Sequence, residues 1–513
     1  MTLDNITIGK FIIDNLTTGM YNDPFCIYRE YIQNAADAID KDAYLRKKDV
    51  LKDYEIRIKL DPNSQAITIE DNGCGIPVES AAKTLLSLGD STKTSDRERG
   101  FRGIGRLGGV AYCDTLTFTT KAKDESEETI VEWNCSEVQR LLDRKNDNSR
   151  HLEAKELIAK CVTSKKQNSK RKIGESFFRI EMSGVKSVKG KLLDFPKVKS
   201  YLEEVAPIPF DPQQLHFGKQ LDEWLRKEIT DYHTYRIFLD DSLLVKKYKR
   251  TLPAHQNKTD ELAGYEKIDI QDRQEKVIAR GWIGVRKDNL GAVLRASGFD
   301  SLRVRVGNIL IGEASLLDPC FHQTRFNGYL VGEIHVTTRE LVPNGRRDDF
   351  QESEMKADFL RGVERIVHPL EKKAYEDSCR KNATKPIEEA KQTVVKVKKQ
   401  LESGFVGDGA RKEAATIIRD ADQRLTEIQK KRNVSDIDKE KAEAESEKLK
   451  TLLVEVKETE PSINGALEGT TFSKKDKETI RKVLDAVYEL YDKSNNRDDL
   501  INRILQKLKR NNR

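Results

Sequence analysis

Glu30, Asn34 and Asp37 place a carboxylate, a carboxamide and a second carboxylate at i, i+4 and i+7. At 3.6 residues per turn the three fall on one helix face. Ile27, Tyr31, Ala35 and Ala38 fill much of the remaining circumference with apolar or small side chains. A polar stripe between apolar neighbours is half buried, and buried acids and amides need partners. Taken alone, the same pattern fits the solvated face of an amphipathic helix. A second group, Asp71, Asn72, Gly73 and Gly75, follows the β-branched run 66–69 and reads as an acid-led turn with bare backbone. A third group holds Gly100, Gly103, Gly105, Gly108 and Gly109. Glycines at that density let backbone N–H groups approach an anion ahead of a helix start.

The elements that must carry these groups are readable around them. Residues 6–20 predict a first helix and residues 24–47 the helix of the polar stripe. Residues 54–60 and 66–70 read as neighbouring strands, and 114–121 with 129–134 as a hairpin. Residues 136–160 read as helical, 164–172 as a Lys- and Ser-rich solvated loop, and 176–182 as a closing strand. Further on, 235–239, 275–286, 302–311 and 328–336 read as strands of a second α/β region.

The order Glu-x-x-x-Asn-x-x-Asp, then Asp-x-Gly-x-Gly, then a glycine-rich loop resembles the GHKL ATPase superfamily. Its members include gyrase-type topoisomerases, ninety-kilodalton heat-shock chaperones, sensor histidine kinases and MutL. Residues 28–40 are most similar to the heat-shock chaperone version, and 303–312, 332–336 and 341–350 resemble the middle segment of those chaperones. The resemblance implies an α+β chain with a GHKL (Bergerat) ATP-binding α/β sandwich over 1–190. It implies a second α/β middle domain over 191–370, followed by a helical, coiled-coil-like C-terminal region over 371–513. It fails over that last part.

For chemistry, the resemblance implies ATP and Mg²⁺. Glu30 is then the base that polarises a water, and Asn34 offers a neutral oxygen to the metal. Asp71 accepts the exocyclic amine of adenine, and Gly75 lets the purine pack on backbone. Asp37 caps or orients its neighbours. Lys93, in an expected lid over 85–99, meets the phosphates or is a solvated loop lysine. Gly100, Gly103 and Gly105 supply N–H groups to the phosphates. Arg347, with Arg346 beside it, reaches the γ-phosphate from the second domain; the alternative is an exposed pair balanced by Asp348 and Asp349. Arg29 positions that loop. A hydroxyl near the adenine is Ser176 or Thr119.

Composition bounds the rest. Charged residues make up 35% of 513, and no long apolar run suggests a membrane span. No secretory signal is visible at the N-terminus, so a cytoplasmic protein is expected. The seven cysteines and seven histidines are scattered, which suggests reduced thiols and no His/Cys metal site. A net charge of +6 permits nucleic-acid contact without arguing for it. Residues 164–172 and 505–513 would be the contacts of a nucleic-acid clamp like MORC or MutL proteins. A sensor kinase would need a phospho-accepting histidine before Glu30, and none precedes it.

From Pro386 onward, Lys/Glu-rich stretches with sparse Leu, Ile and Val predict helices. Residues 410–431 with 436–456 suggest a helical hairpin or coiled coil. A final pair, 474–492 and 498–509, suits packing, homodimerisation or a self-contained tail. The basic end lacks the acidic tail peptide of eukaryotic cytosolic heat-shock chaperones. The leading expectation is a chaperone-like ATPase that closes its lid and domains on a protein client or partner.

Overall fold

The computed structural model describes residues 8–17, 23–87, 105–143, 152–186, 188–254, 258–289, 291–431, 434–460, 464, 466–467, 470–490 and 495–511. Helix α1 (Phe11–Thr17) precedes α2 (Cys26–Arg46), whose alanines favour helix and let it lie close to a sheet. Helix α2 ends where Lys47 turns left-handed at φ 53°. After the single turn α3 (Val50–Asp53), β1 (Ile56–Asp61) and β2 (Ala66–Asp71) pair antiparallel, Ile56 opposite Asp71. Helix α4 (Val78–Leu86), β3 (Thr115–Lys121), β4 (Glu127–Asn134), α5 (Cys135–Leu142), α6 (Ala154–Cys161), β5 (Val162–Asn168) and β6 (Phe177–Ser183) follow.

Two helices, α7 (Phe195–Val205) and α8 (Gly218–Glu228), lead to β7 (Ile237–Leu239) and β8 (Ser242–Leu243). Strand β7 returns to the first sheet and pairs parallel with β1. The eight-stranded order is β5-β4-β3-β6-β2-β1-β7-β8. Ile27, Tyr31, Ala35 and Ile39 of α2 share one core with Ile56, Ile69, Phe118 and Ile180 of this sheet and with Leu239.

The second sheet holds β9 (Thr251–Ala254), β10 (Lys258–Gln271), β11 (Val277–Arg286), β12 (Ser301–Val306), β13 (Ile309–Ile311) and β14 (Val331–Val336). Its order is β13-β12-β14-β11-β10-β9. Its interior carries charge. Glu333 accepts from Arg305 Nε at 2.5 Å and Lys246 Nζ at 2.7 Å, all three fully buried.

The chain forms two compact units, Met1–Glu371 and Lys372–Arg513. Helix α9 (Glu354–Ser403) opens the helical part, followed by α10 (Asp408–Lys430), α11 (Asp436–Glu458), α12 (Lys474–Leu490) and α13 (Asn495–Asn511). In the second unit, Ile418, Leu425 and Ile428 of α10 share a core with Leu449, Leu452 and Val456 of α11.

Several expectations need correction. Residues 235–239, expected in the second α/β region, supply β7 of the first sheet. Residues 164–172 are not simply a loop, because β5 pairs with β4 along the sheet edge. Six of its seven side chains are exposed, so backbone pairing forms it without any apolar pattern. The run 302–311 is two strands: Gly307 (φ 55°) and Asn308 (φ 62°) make a tight turn that folds it into a hairpin. The C-terminal helices begin at Glu354, well before Pro386, and both Pro369 and Pro386 lie inside α9. Within 136–160 the described residues form the two helices α5 and α6.

Candidate functional site

The stripe on α2 is as buried as its neighbours require. Glu30 is 9% exposed and Asp37 4%, while Asn34 is half-buried. Gln33, whose type alone gave no signal, is 1% exposed. Its Oε1 has no hydrogen-bond partner among the described residues, and neither does Glu30 Oε1. Opposite Glu30 runs a 3-10 turn, Gly105–Ala111. A Cβ at Gly105 would stand 2.3 Å from Glu30 Oε2, so only glycine lets this backbone come so near the carboxylate. The turn is pinned to α2 through Tyr31, whose hydroxyl donates to Arg106 O at 3.2 Å and accepts from Gly109 N–H at 2.9 Å. The half-buried Arg106 donates to Ser87 O.

Asp71 closes β2. It is 4% exposed and accepts one hydrogen bond, from Gly73 N–H at 2.9 Å. Burial pushes its carboxyl up to about 8, against the weaker pull of that N–H. Gly75 takes φ +60°, and a Cβ there would meet Lys121 O at 2.1 Å. The turn is stitched to its neighbours by hydroxyls. Ser176 donates to Gly73 O at 2.6 Å. Thr120, not Thr119, accepts from Ile76 N–H at 2.9 Å and donates to Phe177 O at 3.2 Å. Only strand alternation, putting 120 opposite 119, could have marked Thr120. Asp71, Asn72 and Ser176 share a wall of a 390 Å³ cavity.

The arginine loop is closed at its base by a bridge between Pro343 and Phe350 and by Asn344 N–H on Asp349 O at 2.9 Å. Asp348 accepts from the Asn344 amide at 2.6 Å, and Asp349 from Lys356 Nζ at 2.7 Å. Arg347 sits in the left-handed region at φ 56°, a costly conformation for a residue with a Cβ. Gly312 N–H holds its carbonyl at 2.9 Å. The strained residue aims at α2: Arg347 Nε lies 3.4 Å from Glu30 Oε1, and Arg29 Nε lies 3.7 Å from the same atom. Arg29 Nη2 also donates to Arg346 O at 2.7 Å, while the Arg346 side chain is exposed.

Glu30, Arg29, Arg347 and Gly105 are thus brought together, with Asn34 one turn along α2 from Glu30. Asp71, Gly75 and Ser176 form a neighbouring group on the sheet. Lys93, Gly100 and Gly103 lie outside the described residues. The donor set suits a nucleotide and its magnesium. A buried acid with a single N–H fits an amine, the half-buried Asn34 amide fits a hard cation, and two guanidiniums fit a phosphate.

Comparison with known proteins agrees with this reading. Residues 26–167 match the family described as histidine kinase-, DNA gyrase B- and HSP90-like ATPases. The chaperone protein HtpG of Bacillus licheniformis is 29% identical over 137 residues, covering 23% of this chain and 21% of that protein. HtpG of Shewanella loihica is 28% identical over 142 residues, 24% of this chain and 22% of its own. An endoplasmin homolog of Arabidopsis thaliana is 29% identical over 133 residues, 23% and 16% of the two chains. The match spans about a fifth of the length of the HtpG relatives. The N-terminal part is therefore a GHKL-type ATPase domain, and the C-terminal region is helical. Among the described residues no helix is long and apolar enough to cross a membrane.

Proposed function

We propose that this chain, with a GHKL ATPase domain at its N-terminus, binds ATP and hydrolyses it to ADP and phosphate. The cycle drives lid and domain closure on a protein client or partner. The observation that carries the reading is the approach of Arg347 to Glu30, 3.4 Å apart in space and more than three hundred residues apart in sequence.

Each side chain has a task in the reaction. Asp71 accepts the adenine exocyclic amine. Guanine would set a carbonyl against it, leaving a buried acceptor unpaired at about 1–3 kcal/mol. Gly75 admits the ring against bare backbone. Glu30 takes up the proton of the attacking water through the oxygen that accepts no hydrogen bond. Magnesium, when bound, neutralises phosphate charge, and Asn34 is the residue that would hold it. Lys93 and the Gly100–Gly103–Gly105 backbone would contact the phosphates. Arg347 balances charge on the γ-phosphate, and Arg29 holds the arginine loop through the Arg346 carbonyl. Val483 and Leu490, exposed on α12, offer an apolar surface for a homodimer.

The test is ATP turnover with nucleotide binding measured beside it. Glu30→Ala keeps ATP binding and loses about 10²–10⁴-fold in turnover. Asp71→Asn loses adenine-nucleotide binding. Full turnover by Glu30→Ala would overturn the mechanism. A second reading, an ATPase clamp on nucleic acid, rests on Lys165 and Lys166, exposed along the edge strand β5. Turnover stimulated by duplex DNA and falling steeply with salt would favour the clamp over the protein client.

A further inference from the structure

Two histidines and a glutamate, one of the histidines far from the others in sequence, meet about a third of the way along α9. His368 and Glu371 lie at i and i+3, on one face of that helix. His322 lies between the 3-10 turns Asp318–Cys320 and Thr324–Tyr329. The three can each offer one ligand atom within 4.8 Å of the others. The two imidazole rings stack with centroids 4.1 Å apart and planes at 36°.

The carboxylate is built in. Its side chain is 7% exposed, and it accepts Gln323 N–H at 2.7 Å and His322 N–H at 3.1 Å. Its Oε2 also lies 3.2 Å from His322 Nδ1. A metal that replaces the proton between them would find Nδ1 and Oε2 close to the separation that two ligands of one ion keep. Three of the roughly four acceptor sites of Glu371 are filled, which leaves one. His368 makes no hydrogen bond among the described residues. The His322 side chain is 72% exposed, so the group is open to solvent.

We propose that His322, His368 and Glu371 bind one divalent transition metal of the zinc class. Two imidazoles with one carboxylate suit a borderline cation, whereas calcium and magnesium require oxygen ligands throughout. Ligands about 2.1 Å from zinc at tetrahedral angles lie about 3.4 Å apart, so the rings close by a rotation of His322. The metal fastens segment 318–329 to α9, the helix that begins just beyond the arginine loop. With three protein ligands it retains a water.

The test uses the full chain without a histidine tag, stripped with EDTA and titrated with Zn²⁺ by calorimetry and with Co²⁺ by visible absorption. One equivalent of Zn²⁺ binds, and Co²⁺ develops the ligand-field bands of a low-symmetry site. His368→Ala and His322→Ala each weaken zinc binding by at least about tenfold and bleach those bands, while circular dichroism stays unchanged. Glu371→Gln weakens it by about 10–100-fold. A wild-type chain that takes up no zinc overturns the proposal, as do histidine variants that titrate like wild type. The ring stack is then packing alone.

Discussion

Glu30 and Glu333 are both carboxylates facing two cations inside the first compact unit, yet they are held differently. Glu333 takes Arg305 at 2.5 Å, Lys246 at 2.7 Å and His335 at 3.1 Å. Arg305 and Lys246 also bond Asn308, at 3.0 Å each. Burial alone would raise the Glu333 carboxyl, and the two cations instead hold it well below its ordinary value. Around Glu30 the guanidiniums stop at 3.4 and 3.7 Å, beyond hydrogen-bond length, and Oε1 accepts no hydrogen bond. Completed bonds make Glu333 part of the scaffold. At Glu30, by contrast, one oxygen accepts no hydrogen bond among the described residues, and a left-handed arginine and a close-set glycine stand beside it.

The largest effect separates the two clusters by rate. Arg347→Ala lowers ATP turnover by about 10³–10⁵-fold, as for other arginine fingers, and leaves urea unfolding close to wild type. A stability loss as large as that of a scaffold variant would collapse the distinction. Next, Glu333→Gln strands two buried cations and costs about 3–5 kcal/mol in urea unfolding, while the variant that still folds binds ATP normally. Lost binding at intact stability would assign Glu333 to the site.

The last effect is read in pH, and the two regions have opposite signs. Asp71 is raised from 3.8 to about 8, so between those values the folded chain holds a proton that the unfolded chain has lost. Its contribution therefore falls as pH rises from 3.8 toward 8. Burial drives the His335 ring from 6.5 down to about 4 despite Glu333. There the unfolded chain holds the extra proton, and stability rises with pH from about 4 to 6.5. Asp71→Asn should flatten the first slope and His335→Gln the second, read from unfolding free energy against pH. Unchanged slopes would show that neither group is buried as described.

How much of this was legible depended on whether the signal was local. The α2 stripe, Asp71, Gly75 and Gly105 were visible because their chemistry lies within two turns of helix or one tight turn. The arginine loop was visible through family resemblance, not through any periodicity. Strand β5 was hidden because an edge needs only backbone pairing, and its exposed Lys and Thr side chains imitate a loop. Strand β10 was hidden likewise: Asp260, Gly264 and Glu266 take alternate positions shared with Leu262, Ile268 and Ile270 and so interrupt the apolar alternation. The scattered histidines misled for a different reason. His322 and His368 become neighbours only when α9 is laid against the 318–329 segment, and nothing in their spacing announces it.

The parallel return of β7 onto β1 has a consequence for synthesis. A nascent chain leaves the ribosome N-terminus first, with β1 an open edge until its partner emerges. Ile237 and Leu239, which stand beside Ile56 and Ile58, are translated long after Asp71. The sheet bearing Asp71 is therefore completed only by a segment already on the way to the arginine loop. Until residues 237–243 are made, the edge of β1 stays open and the sheet bearing Asp71 lacks β7 and β8.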